Sequence, residues 1–197
     1  MNVELGLKSV IRRKKNHYTP GPDPYKVFGN LLDRKFEADK RNQKWCIDFT
    51  YIYFGKHTKR YNCTIIDLYD RRVAASVCGK RITSELAKET VKEAIKRNGG
   101  EICEILHSDR GSQFTSKEFI EFCNEYGITQ SMSRPGCPYD NAPMERYFNT
   151  MKSELLKQKS FEDEESLFIE INAYAYGWYN NLRPHSHNGG LPPAKVK

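Results

Sequence analysis

No run of eighteen apolar residues occurs anywhere in the 197-residue chain, so nothing in it reads as a transmembrane helix. Met1 to Lys15 also lack the apolar stretch and small-residue cleavage site of a secretory signal, and a cytoplasmic location is expected. Cysteine comes only as six scattered residues, Cys46, Cys63, Cys78, Cys103, Cys123 and Cys137. None forms the close pair of a zinc site or disulfide scaffold, so they read as reduced core residues. Internal repeats and low-complexity segments are missing too. With 38% hydrophobic and 29% charged residues, the chain has the composition of a globular protein with one full core.

The formal charge of +7 is placed unevenly: residues 1–44 hold 11 Lys and Arg against 5 Asp and Glu, and the remainder is nearly neutral. Residues 1–42 are expected to be a basic arm and linker, carrying Arg12, Arg13, Lys14 and Lys15 and then the prolines 20, 22 and 24 that break regular structure. A basic arm on a neutral body suits a polyanion, because neutralising phosphates releases counterions; the plainer alternative is a solubilising tail.

From Lys44 the sequence turns aromatic and β-branched. Three strands are predicted at 44–54, 60–68 and 71–78, joined by short links that favour an antiparallel meander. A helix opened by Thr83 or Ser84 and closed by Asn98-Gly99-Gly100 follows, then a fourth strand at 102–107. Thr115 and Glu118 suggest a capping box for a second helix ending at Gly127, with Phe119, Phe122, Cys123 and Tyr126 on one face. A fifth strand is expected at 128–132. A long helix then begins near Asp140 or Asn141, with Pro143 in its first turn and Asn141 as its cap. A last helix is expected from Ser160, with Leu167, Ile171, Tyr174 and Trp178 on one buried stripe, ending at Arg183-Pro184.

Three carboxylates stand out. Asp48 sits inside a strand, where acidic residues are depleted and burial is costly without a pair or a cation. Asp109 follows the fourth strand at the carboxyl end, where sites in α/β sheets lie. Glu145 lies in the first turn of the long helix. Taken singly they read as an edge-strand Asp, a turn Asp and a helix-dipole partner. If the first strand lies beside the fourth, Asp48 and Asp109 approach each other and the long helix brings Glu145 across. Three hard oxygen ligands suit Mg²⁺ or Mn²⁺, and two such ions clamp the attacking and leaving oxygens of a phosphoryl displacement.

At these residues the chain resembles the IS-three family of insertion-sequence transposases, with the integrase-type catalytic core and its Asp, Asp, Glu triad. The likeness runs from about Leu31 to the C-terminus. It is carried by Asn42-Gln43-Lys44-Trp45 with Asp48 and Thr50, Ile66-Asp67-Leu68 with Arg71-Arg72, and His107-Ser108-Asp109 with Gly111-Ser112-Gln113-Phe114. Ser131-Met132-Ser133-Arg134, Tyr139-Asp140-Asn141-Ala142-Pro143-Met144-Glu145 and Trp178-Tyr179-Asn180 with Arg183-Pro184-His185-Ser186 complete it. Thirty-five residues lie between Asp109 and Glu145, the family's spacing, and Lys152 follows Glu145 by seven on the same helix face.

The resemblance implies an α/β, ribonuclease-H-like fold with a five-stranded mixed sheet flanked by helices, spanning residues 43–197. It implies Mg²⁺ or Mn²⁺, two ions, on Asp48, Asp109 and Glu145, and metal-dependent nicking and strand transfer at insertion-sequence ends. Lys152 would contact double-stranded DNA; His107 and Asn141 would stand behind the ligands, although His107 reads equally well as a satisfied core histidine. Further implied partners are a helix-turn-helix protein from an upstream frame, of which Gly6 to Arg13 resembles only the end, and further copies of the chain on DNA. The alternative is an inactive remnant that only binds DNA. A ribonuclease H or junction resolvase shares the chemistry but not the spacing. Asp67 is expected to support the sheet or pair with Arg71 or Arg72, and His185 with His187 to belong to a structural or DNA-facing tail.

Overall fold

A computed structural model describes residues 27–56 and 58–196. Arg12, Arg13, Lys14 and Lys15 lie outside the described residues. The strands are β1 (Lys44–Phe54), β2 (Thr58–Asp67), β3 (Val73–Gly79), β4 (Ile105–Ser108) and β5 (Thr129–Met132), in the order β3-β2-β1-β4-β5. The first three pair antiparallel, as their short links require, and β4 and β5 join parallel after helical crossovers. The sheet is mixed, five-stranded and covered by helices on both faces.

Alternation along β1 assigns its faces. Trp45 and Ile47 pack with α1 (Ser84–Arg97) and α3 (Lys117–Glu125), which cover one side. Cys46 and Ile52 point the other way, into a second cluster with Met144, Tyr147, Phe148 and Met151 of α4 (Ala142–Met151) and Leu167 and Ile171 of α5 (Glu164–Asn172). Asp48 shares the parity of Cys46 and so falls on the α4 side. Cys46 pairs with His107 across β1 and β4, so two residues further along each strand the same register reaches Asp48 and Asp109. All six cysteines are free, four of them buried.

Thr83 caps α1 by accepting from the Leu86 amide at 3.1 Å, and Asn98 closes it. The capping box at Thr115 does not form. Ser112–Thr115 make a separate turn, α2; the chain extends at Ser116 (ψ 148°), and the Ser116 hydroxyl accepts from Phe119 to open α3. Asn141 is likewise no side-chain cap for α4, because its amide is turned elsewhere. The last helix begins at the cap Asp163, not at Ser160.

Trp178 leaves the predicted stripe: it is 47% exposed, while Leu167, Ile171 and Tyr174 are buried. The reason is a π-helical stretch, Ala173–Tyr179, whose wider turn moves the buried position after Tyr174 from Trp178 to Tyr179, 3% exposed. The same widening occurs at Lys152–Leu156, where α4 ends. Among the described residues no helix is long and apolar enough to cross a membrane.

Candidate active site

Asp48, Asp109 and Glu145 line a single cleft of about 510 Å³, with Arg110, Gly111, Asn141 and the loop Ser133–Pro138 forming the rest of its wall. Each carboxylate arrives on a different element: Asp48 inside β1, Asp109 just past β4, Glu145 in the first turn of α4. Asn141 Nδ2 donates to Asp48 Oδ2 at 3.0 Å, and the Phe49 amide donates to Oδ1 at 2.7 Å. The Gly111 amide donates to Asp109 Oδ1 at 2.9 Å, an Asx-type turn that fixes this side chain at the strand end. Glu145 is exposed and reaches the cleft from its rim. Among the described residues no group of three or more His, Cys, Asp or Glu side chains has closed around a metal-sized site.

Burial, and then the charges of Asp109 and Glu145, push the Asp48 carboxyl up to about 7. Burial also raises Asp109, against the Gly111 hydrogen bond that lowers it. Lys152, whose own pKa is lowered by partial burial, feels Asp48 and lies 5.5 Å from the Tyr51 ring centroid. Lys59 approaches the same ring at 5.6 Å. Tyr51 is 53% exposed, a ring between Lys59 and Lys152 that the sequence reading missed. Strand alternation gave no signal for it, because three residues beyond Asp48 is the opposite parity; the contact with Lys152 is what brings it to notice.

His107 is fully buried, and its ring nitrogens meet the Ser131 and Ser133 hydroxyls at 2.8 and 3.1 Å. It ties β4 to β5 and to the start of the cleft loop; none of its described bonds runs to the three carboxylates. Burial lowers its pKa, keeping the imidazole neutral. Asp67 supports the β2–β3 turn by accepting from the Asn42 and Tyr69 amides, and pairs with neither Arg71 nor Arg72 in a direct salt bridge.

Asp140 is a second residue that sequence reasoning missed. Its fully buried carboxylate accepts from Arg134 Nε at 2.8 Å and Nη2 at 2.9 Å, from the Arg134 amide at 3.1 Å, from Arg34 Nε at 2.8 Å and from Asn30 Nδ2 at 2.9 Å. Arg134 and Arg34 hold it far below the usual carboxylate range. This hub locks the cleft loop to residues 30–34 immediately before α4, and so sets where Asn141 and Glu145 emerge.

Residues 38–138 match the family described as integrase core domain, and residues 126–193 match a second family of the same description. The chain belongs to the integrase core domain family. Along its whole length it is 33% identical to the insertion element IS600 uncharacterized 31 kDa protein of Shigella sonnei, covering 72% of that protein. It is 32% identical over 192 residues to the transposase InsF for insertion sequence IS3A of Escherichia coli strain K12, covering 98% of this chain and 66% of that one. The resemblance to IS-three transposases is therefore borne out.

The HTLV-2 integrase catalytic core domain, solved in complex with magnesium, superposes with TM-score 0.58 at 23% identity, covering 79% of this chain and 95% of that one. A chain of the simian T-cell lymphotropic virus intasome gives TM-score 0.69 at 19% identity, covering 89% and 60%. At these identities the likeness is one of fold. This integrase core has the ribonuclease-H-like architecture, with the three acidic residues in β1, just past β4 and in α4.

Proposed function

We propose that the chain is the catalytic core of an insertion-sequence transposase, a polynucleotidyl transferase that nicks DNA at element ends and joins the freed 3′ hydroxyl to a second phosphodiester. The observation that carries this reading is the meeting of Asp48, Asp109 and Glu145 in one cleft, in a chain related to InsF transposases. The donor set fits a hard divalent cation: all three candidate ligands are carboxylates, and Asp48 is raised by burial and then by its acidic neighbours, a charge that a cation would offset. A divalent cation such as Mg²⁺, when bound, supplies the charge that activates water and stabilises the leaving oxygen of the phosphodiester.

The protein's own residues do the positioning. Asn141 holds one Asp48 oxygen and the Phe49 amide the other, so the carboxylate keeps its direction. The Gly111 amide does the same for Asp109. Lys152 offers an ammonium to a DNA phosphate beside the cleft, and Tyr51 an exposed ring on which a base or sugar can rest. Arg12, Arg13, Lys14 and Lys15 add a sequence-independent grip on the phosphate backbone. Strand transfer between two ends calls for more than one copy on DNA, together with an upstream-frame helix-turn-helix partner that recognises those ends.

Mg²⁺-dependent nicking and joining of labelled duplexes bearing the element's terminal repeats tests the reading. Product with Mg²⁺ and none with EDTA is expected; product of equal yield in EDTA contradicts it. Replacement of Lys152 by Ala should weaken duplex binding and lower the slope of log affinity against log salt by about 0.9, the loss of one phosphate contact. Titration by fluorescence anisotropy at several salt concentrations checks this, and an unchanged slope removes Lys152 from the DNA contacts.

A pH dependence follows from Asp48. Its folded pKa of about 7 lies above the ordinary 3.8, so its contribution to stability is fully present below 3.8 and is lost as pH rises through 7. Mg²⁺ binds only the ionised form and so competes with the proton. Thermal melts should therefore show Mg²⁺ raising Tm at pH 8 and scarcely at pH 5.5, with Asp48→Asn flattening the difference. Equal Mg²⁺ shifts at both pH values would contradict the assignment of Asp48 as a ligand.

A further inference from the structure

Behind Glu145, on the far side of α4 from the carboxylate cleft, two cavities of about 720 and 380 Å³ share the walls Ala142, Arg146, Tyr179, His185 and Ser186. The larger reaches Glu145 at one end, and the smaller ends on Arg71, so together they make one groove leading away from the carboxylates. Positive groups dominate it. Arg146 is exposed and makes no ion pair among the described residues. Arg183 is paired with Glu154 at 2.8 Å; Arg146 and Arg71 against Glu145 leave the groove one net positive charge.

Arg71 is the more unusual of the two. Its backbone is left-handed (φ 64°), a conformation in which Gly or Asn is the low-strain choice, and such outliers gather at functional sites. Its Nη2 donates to the Phe36 carbonyl at 2.9 Å, while its buried Nη1 has no acceptor. Arg71 lines the smaller cavity, and its unpartnered Nη1 leaves the guanidinium donor capacity to spare for an anion there. Burial, and then the charges of Arg183, His187, Arg71 and Arg146, push His185 down to about 4, so four positive or protonatable groups converge on this imidazole.

We propose that this groove is a phosphate-binding track, in which Arg146 and Arg71 hold successive phosphodiesters of the DNA strand as it runs on from the carboxylate cleft. The proposal rests on the reading of the chain as a DNA-processing enzyme. Its occupant follows from charge and continuity: Arg146 and Arg71 stand at successive positions along the groove, and Glu145 stands at its mouth. The walls Tyr179, Pro143 and Phe36 give the sugars and bases an apolar surface.

Duplex binding by fluorescence anisotropy in EDTA, over a series of salt concentrations, tests the track without any catalytic step. Arg146→Gln and Arg71→Gln should each weaken binding uniformly across sequences and lower the salt slope by about 0.9. Arg146 is exposed and unpaired, so its variant reports even if Arg71→Gln, which loses the bond to Phe36, fails to fold. Wild-type slopes and affinities in Arg146→Gln overturn the track while leaving the carboxylate site untouched. A wild-type chain that binds no duplex at any salt overturns the DNA reading with it. Inorganic phosphate serves as a second probe: a Tm rise that Arg71→Gln removes, beside unchanged DNA slopes, assigns the cavity to a free small anion and overturns the proposal.

Discussion

Asp109→Asn is expected to abolish Mg²⁺-dependent nicking and joining by at least about three orders of magnitude, on the order of 4 kcal/mol in the barrier. The substitution keeps the shape and the oxygen that accepts from Gly111 but removes the charge. Burial already disfavours that charge, so the neutral amide should leave Tm unchanged or slightly raised. Loss of activity without loss of stability separates a ligand of the reaction centre from a merely structural turn Asp. Strand transfer on labelled duplexes, wild type beside variant, measures it; joining within tenfold of wild type would remove Asp109 from the chemistry. The upstream partner belongs in the assay if the wild type alone gives no product.

Asp140→Ala is expected to produce the largest loss of stability among substitutions around the cleft, a fall in Tm on the order of 10 °C. Two guanidinium groups, the Arg134 backbone amide and the Asn30 side-chain amide converge on this carboxylate, and its removal leaves Arg34 and Arg134 without their shared anion. Activity should fall with it, because the loop that delivers Asn141 and Glu145 loses its anchor. The hub also has a pH signature. The depressed folded pKa means its contribution is present above the ordinary 3.8 and is lost only as pH falls through a much lower value. Asp140→Ala should therefore show a shallower loss of Tm on strong acidification than wild type. A variant that melts like wild type would show that the loop is held by other contacts.

The three carboxylates were legible because each stands where its local structure resists an acid or presents one: within a strand, after a strand, in a first helical turn. Their meeting followed from the pairing of β1 with β4, and the register of Cys46 with His107 delivers it. What was not legible has a physical cause in each case. Asp140 looked like an ordinary helix-start Asp because its partners Arg34 and Asn30 lie 106 and 110 residues away, and no local pattern encodes them. Trp178 was placed on the buried stripe by 3.6-residue counting, which a π-helical stretch defeats. Thr115 yielded its cap to Ser116 because Gly111 to Thr115 wind into a turn of their own. The left-handed backbone of Arg71 left no mark on a sequence where two arginines adjoin an ordinary turn.

Anomalous diffraction from crystals soaked in Mn²⁺ tests most directly whether Asp48, Asp109 and Glu145 form one metal centre. Density for Mn²⁺ in the cleft held by Asp48, Asp109 and Glu145, and its loss in Asp109→Asn crystals, is the expected result. Mn²⁺ bound elsewhere, or a cleft still empty at saturating Mn²⁺ with all three carboxylates ionised, would contradict it.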